Sequence, residues 1–436
     1  MVMRPPMDTD SPCDAGDLPA KSRIFFRCRR YYHAMMNRRP FARAALAAPF
    51  LSLLTRPQSL GQTQTKSNSE GPGFNPPGQS FLSLIPHLLD VSTVPGIAIG
   101  VVQAGKTKWT HYRGAADLAS ARPFAQDSVF SAASLGKTPF AYAVLQLADQ
   151  GKIDLDKPVR DYLSEDPPVG EYGSRVTARH ILSHTSGFPN WRQSQTEPLT
   201  SSFEPGTKWQ YSGEGYYALQ RCVEEITGIG FEQFMQDRIF KPLEMTSSTY
   251  VWRDDFPSRI VTGYDWNQKP HQRWDFAMEL HEKIKQSGKP LAEWRHKQVV
   301  EAMTKKTAPI ANWIFPNAAY SLLTTVNDYS AFAARLAAPH GNSFDLSEET
   351  RAVMLNPYVR INSALSWGVG IGVERDVHAR YNFQWGDNSF WKNIVMIHAP
   401  TRSAVVVATN GESGFRVIER VAKAASGIDH DQFLKI

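Results

Sequence analysis

The apolar positions of the chain change period several times, and each change predicts an element. Across residues 81–89 they recur at helical spacing. Gly96-Ile97-Ala98-Ile99-Gly100-Val101-Val102 is an unbroken apolar run of strand length. Gln103-Ala104-Gly105-Lys106 has turn chemistry, and residues 107–114 predict the returning strand of a hairpin. Helical spacing comes back over residues 135–149 through Phe140, Val144, Leu145 and Leu147, and Gly151 supplies the stop. Further helices are predicted at 177–183, 215–227 and 231–239. Strands follow at 367–374, 380–385, 393–398 and 403–409, then a last helix at about 414–425. Consecutive short strands pair antiparallel with helices on their faces, so the fold class is α+β within the broad α/β group.

Domain organisation follows from the same pattern. Residues 61–80, rich in Gly, Gln, Ser, Asn and Pro, predict a linker, and order is expected over 81–436 with a mostly helical subdomain at about 150–305. Residues 267–305 (Trp274, His281, Lys283, Lys285, Trp294, His296) predict an added helical segment, either a solvated surface feature or a lid. Ahead of the linker, Asn37-Arg38-Arg39-Pro40-Phe41-Ala42-Arg43 precedes a short apolar run, residues 44–54. A basic stretch before a brief apolar one reads as an export leader over 1–60, too short for a stable membrane span in the mature chain. Arg38-Arg39 followed by Phe41 resembles a bacterial twin-arginine signal, which predicts a periplasmic or extracellular location.

Charge changes the picture only once it is located. The formal net charge is +6, yet residues 1–60 alone hold ten Lys/Arg against four Asp/Glu, so the remainder is formally neutral. A neutral body gives no electrostatic reason to expect a nucleic-acid partner. Of the three cysteines, Cys13 and Cys28 fall in the leader, and Cys222 sits in an apolar helical pattern that predicts packing. Glycine-rich phosphate loops and Cys/His clusters of metal spacing are absent from the sequence, so neither a metal nor an organic cofactor is expected. His180 and His184 stand four apart, but Ile181 occupies the place of a metalloprotease glutamate, and structural histidines are the better reading.

Three segments carry candidate chemistry. In Ser134-Leu135-Gly136-Lys137, residues three apart share a helix face, so the Lys137 amine can reach the Ser134 hydroxyl. A serine hydroxyl is a poor nucleophile until a neighbouring base takes its proton. The positive end of the helix also favours an oxyanion at Ser134. Tyr211-Ser212-Gly213 places a tyrosine where a lysine can tune it for proton transfer, though alone it is a turn. Trp385-Gly386-Asp387-Asn388 is a β-turn whose backbone N–H groups are able to face a developing oxyanion.

In this order and at these separations the three segments resemble the serine β-lactamase and penicillin-binding-protein superfamily, in its class C-related esterase branch. Ser131-Ala132-Ala133-Ser134-Leu135-Gly136-Lys137-Thr138, His180-Ile181-Leu182-Ser183-His184-Thr185-Ser186-Gly187 and Ile239-Phe240-Lys241-Pro242-Leu243-Glu244-Met245-Thr246 are similar to further stretches of it. The resemblance implies a β-lactamase/transpeptidase-like fold, an antiparallel sheet flanked by helices with a helical subdomain. It also implies an acyl-enzyme on Ser134, Lys137 and Tyr211 as joint proton carriers, and an oxyanion hole from the Ser134 and Asn388 N–H groups. Two departures narrow the substrate. Trp385 stands where lactamases usually carry a cation for the substrate carboxylate. Gly213 stands where they carry an asparagine for the antibiotic's side-chain amide. Both losses remove polar recognition, so an ester or small amide with an apolar group against Trp385 is expected. A β-lactamase or D-amino-acid-specific peptidase, acting on a peptide, and a non-catalytic sensor or binding protein on the same scaffold are the alternatives.

Overall fold

The computed structural model describes residues 71–435 apart from 195, 272–273, 305, 307–308, 310, 312 and 376–378. The expected leader and residues 61–70 of the expected linker lie outside the described residues. In chain order the principal elements are α1 (Gln79–Val91), β1 (Gly96–Gln103), β2 (Lys106–Asp117), β3 (Arg122–Pro123), β4 (Phe130–Ala133), α2 (Lys137–Asp149), α3 (Gly213–Thr227), α4 (Asp275–Ser287), β5 (Leu322–Thr324) and α5 (Val326–Ala337). They continue with β6 (Val359–Arg360), β7 (Leu365–Trp367), β8 (Gly372–Arg375), β9 (Arg380–Asp387), β10 (Lys392–His398), β11 (Ser403–Thr409) and α6 (Gly414–Ser426). Nine strands form one antiparallel sheet in the order β3-β2-β1-β11-β10-β9-β8-β7-β6, while β4 and β5 pair separately.

Helices cover both faces of the sheet, which is why β1, β10 and β11 are buried almost throughout and carry long apolar runs. Side-chain alternation sorts them into two cores. Ile97, Ile99 and Val101 of β1 pack with Ile85 and Leu89 of α1 and with Val417, Ile418 and Val421 of α6. Ala98 and Val102 face the other way, into the core that contains α2, α3 and α5. Each fully buried aliphatic side chain contributes about 1.5–3 kcal/mol relative to exposure. These layers hold β9, at whose end the candidate turn lies, beside β4 and the Ser134 turn.

Three elements differ from expectation. Residues 72–78 run along the core instead of linking: Phe74 is buried and its N–H donates to Ser403 Oγ (2.9 Å), and Pro72 O accepts from Tyr381 Oη (2.8 Å). One aromatic residue in a Gly/Pro/Asn-rich stretch is enough for docking. The strand expected at 367–374 is two, β7 and β8, reversed by a turn in which the Gly368 N–H donates to Ile371 O (2.8 Å). Within segment 267–305 the described residues Asp275–Ser287 and His296–Ala302 are helical as expected, and although 285–290 are exposed, one face of the segment is docked on the body. Trp274, Ala277, Leu280, Trp294 and Val299 are buried in the larger core. Trp274 lies between Trp391 (centroids 5.4 Å apart) and Trp252 (5.7 Å). His296 N–H donates to the buried Glu224 carboxylate (2.7 Å). Such anchoring makes it part of the body. Among the described residues, no helix is long and apolar enough to cross a membrane. The docking predicts that Trp274→Ala destabilises the fold by about 3–5 kcal/mol in a denaturant titration, whereas a detached lid would give almost no change.

Candidate active site

The nucleophile segment is built by a sharp reversal. β4 ends at Ala133, whose φ of 53° and ψ of −130° are strained for a residue with a side chain, at a cost of about 1–3 kcal/mol. Ser134–Gly136 then form one 3-10 turn, and Lys137 opens α2. Pro139 has no N–H to give Leu135 O the helical hydrogen bond it would otherwise receive. Tyr329 Oη supplies it instead (2.8 Å), and Tyr250 Oη donates to Gly136 O (2.9 Å). Two buried tyrosines therefore fix the turn that presents Ser134, which itself is only partly buried.

Lys137 Nζ lies 3.0 Å from Ser134 Oγ and donates to Ala319 O at 2.6 Å. The amine is 4.9 Å from the centroid of the Tyr211 ring and 5.5 Å from that of Tyr216. Lys137 is 1 % exposed, and among the described residues no carboxylate forms an ion pair with it. Burial without a countercharge disfavours the ammonium and holds the amine well below the ordinary lysine range. The structure thus places Lys137 beside Ser134, as their spacing suggested, and the Tyr211 ring near both, as the family resemblance implied.

His184 is the residue whose importance the sequence understated. Its Nδ1 accepts from the Ser212 N–H (3.2 Å), so its ring proton sits on Nε2. Its ring packs on Tyr211 with centroids 4.2 Å apart, and Trp367 closes on both at 5.0 and 6.2 Å. Burial keeps the imidazole well below its usual value and therefore neutral. A neutral ring is what allows a buried histidine beside a lysine to brace Tyr211 without opposing it. His180 caps its own helix through Thr177, accepting the Thr177 N–H at Nδ1 (3.2 Å). Cys222 is buried, with its thiol pushed up to about 12 by desolvation, in keeping with packing.

The 385–388 segment differs from expectation in register. The Asn388 N–H, expected in the oxyanion hole, donates to Trp391 O (3.2 Å) and closes the β9–β10 hairpin. Asn388 with Trp391, and Gly386 with Asn393, are thus the hydrogen-bonded pairs of this ladder. Asp387, opposite Lys392, turns its N–H away from β10. On that side β8 pairs with β9 only as far as Phe383, so the Asp387 N–H lies on an open strand edge. Asn388 contributes its side chain instead: Nδ2 donates to Ser131 Oγ (2.7 Å) and Tyr320 O (3.3 Å). At Gly386 a β-carbon would fall 2.3 Å from Ala132 O, so only glycine lets β9 lie this close to the nucleophile strand. Trp385 projects from the opposite face to Asn388. It packs on Phe383 (4.8 Å) and donates its indole N–H to Gln432 Oε1 (3.0 Å), which makes it a wall of the smaller core.

A hydroxyl nucleophile, an amine without a countercharge and an open strand edge make up an acyl-transfer site in outline. The comparisons agree: the sequence model of the Beta-lactamase family matches residues 81–427, and the chain belongs to that family, whose members are serine hydrolases. It is 30% identical over 199 residues to Penicillin-binding protein 4* of Bacillus subtilis (strain 168), covering 41% of each chain. It is 31% identical over 218 residues to Esterase EstB of Burkholderia gladioli, covering 43% of this chain and 54% of that one. The chain thus spans about two fifths to about half the length of these curated relatives. The fold matches the octameric penicillin-binding protein homologue from Pyrococcus abyssi with a TM-score of 0.62 at 17% identity, over 81% of this chain and 79% of that one.

The charge state of Lys137 has a thermodynamic signature. Between its lowered folded-state value and the ordinary 10.5, the unfolded chain holds a proton that the folded chain does not. Stability conferred by the neutral amine therefore rises with pH through that window. Wild type is expected to gain on Lys137→Met as the pH rises toward 10.5, with a slope of up to about 1.4 kcal/mol per pH unit, read from paired urea titrations. A difference that stays flat would mean that the folded amine is still protonated.

Proposed function

We propose that the chain hydrolyses an ester or small amide through an acyl-enzyme on Ser134. The observation that carries this reading is the buried Lys137 amine, held 3.0 Å from Ser134 Oγ with no ion-pair partner among the described residues. In the first step the Ser134 hydroxyl proton passes to the amine as Oγ bonds to the substrate carbonyl carbon. The carbonyl oxygen becomes an oxyanion, for which the Ser134 and Asp387 N–H groups are the donors we assign. Collapse expels the alcohol or amine, which takes a proton delivered by Lys137 and Tyr211 together. Water, losing a proton to the same pair, then cleaves the acyl bond and frees Ser134.

Two features support an ester over a β-lactam. Trp385, packed on the other face, takes no part in this choice, but Gly213 brings no side chain for the amide of an acylated lactam, and the indole of Trp191 occupies the space beside it. A β-lactamase or D-amino-acid-specific peptidase is the second reading, supported by the similarity to Penicillin-binding protein 4*. Export by the twin-arginine-like leader belongs to the same proposal, and an intact leader on cytoplasmic protein would contradict it.

Short-chain p-nitrophenyl esters and nitrocefin, offered in parallel to wild type and Ser134→Ala, test the reading. Ester turnover is expected to fall at least ~10³-fold in the variant, with nitrocefin scarcely touched by either. Comparable nitrocefin turnover would replace the esterase reading with the second one. Absence of Ser134-dependent turnover of both substrates would contradict the ester proposal.

A further inference from the structure

Gly213 is more than a missing side chain. A β-carbon built there would lie 2.4 Å from Cζ2 of Trp191, so the indole already fills the space that the lactamase asparagine would enter. Trp191 is held in place from both sides. Asn190 on one flank accepts the Gly213 N–H at Oδ1 (2.9 Å) and the Glu214 N–H at its backbone O (2.9 Å). Arg192 on the other flank donates its backbone N–H (3.2 Å) and its Nε (3.3 Å) to the buried Glu214 carboxylate. Four hydrogen bonds to residues 213–214 leave the intervening indole lying across the Gly213 α-carbon. Its ring meets Tyr320 edge to face, centroids 5.8 Å apart. Tyr320 directly follows Ala319, whose carbonyl holds Lys137. Trp191 is half-buried, leaving part of its surface available to a ligand.

From this arrangement we infer that Trp191 is the specificity-determining residue of the acyl subsite, selecting substrates whose acyl group is flat and apolar, such as an aryl- or arylacetyl ester. The inference rests on the Ser134 reading above and deepens it. An indole offers apolar contact and ring stacking but, buried edge-on against Gly213, no acceptor for an amide. An acylamino group entering here would bring an N–H that finds no acceptor on the indole, whereas an aromatic acyl group gains contact area.

Boronic acids add to a serine hydroxyl whatever the physiological substrate, so benzylboronic and methylboronic acid make a direct test by calorimetry. Wild type is expected to bind the benzyl compound about tenfold or more tightly than the methyl one. Trp191→Ala should lose about tenfold for benzylboronic acid with less than about threefold change for methylboronic acid, and Trp191→Phe should keep most of the preference. The methyl compound also reports whether each variant's site is folded. An equal loss on both ligands, or a preference unchanged in Trp191→Ala, would overturn the inference while leaving Ser134 in place. Binding of neither boronate by wild type would overturn the Ser134 reading, and this inference with it.

Discussion

Everything at this site depends on one amine whose burial disfavours its charged form. Lys137 sits at the junction of the 3-10 turn and α2, with Ser134 Oγ and Ala319 O as its polar contacts and two tyrosine rings close by. Desolvating an amine without a countercharge is costly to the ammonium and much less so to the free base. Much of the surrounding architecture maintains that condition. Tyr329 and Tyr250 hold the turn by its carbonyls, and neutral His184 packs beside Tyr211 without adding charge. The strain at Ala133 is part of the same construction, since it lifts Ser134 out of β4 toward partly open space.

The sheet supplies the complementary half. Gly386 lets β9 approach β4, and strand parity then decides which groups face the nucleophile. Asn388 ties the edge to Ser131 and Tyr320, while Trp385 is sent to the other face with Phe383 and Gln432. Apolar character near the reacting centre is therefore concentrated at Trp191 and Tyr320, set between the Tyr211 segment and the Ala319 carbonyl. Gly213, with an indole laid across it, leaves no room for a side chain at that point of the site while Ser134 and Lys137 keep their own contacts.

Much of this was legible in the sequence, because periodicity and short-range spacing are local properties. The α2 pattern, the hairpin β1–β2, the closing strands β9 to β11 and the Ser134–Lys137 spacing all depend on residues near one another in the chain. What escaped depends on long-range packing. Phe74 docks on a core made some 300 residues later, and Trp274 and Trp294 are buried by partners that composition does not reveal. The choice between Asp387 and Asn388 as backbone donor turns on ladder parity, which a sequence contains only implicitly. Trp191 was invisible for the same reason: its partner Gly213 is over twenty residues away, joined through Asn190 and Arg192.

The protonation state of Lys137 is the most direct test of the central claim. Lysine ¹³Cε resonances, with the Lys137 signal assigned by its absence in Lys137→Arg, can be followed through a pH titration of the folded protein. The structure predicts a midpoint well below the ordinary lysine value of 10.5. A midpoint at or above that value would show an ammonium at neutral pH and would contradict Lys137 as the group that takes the proton from Ser134.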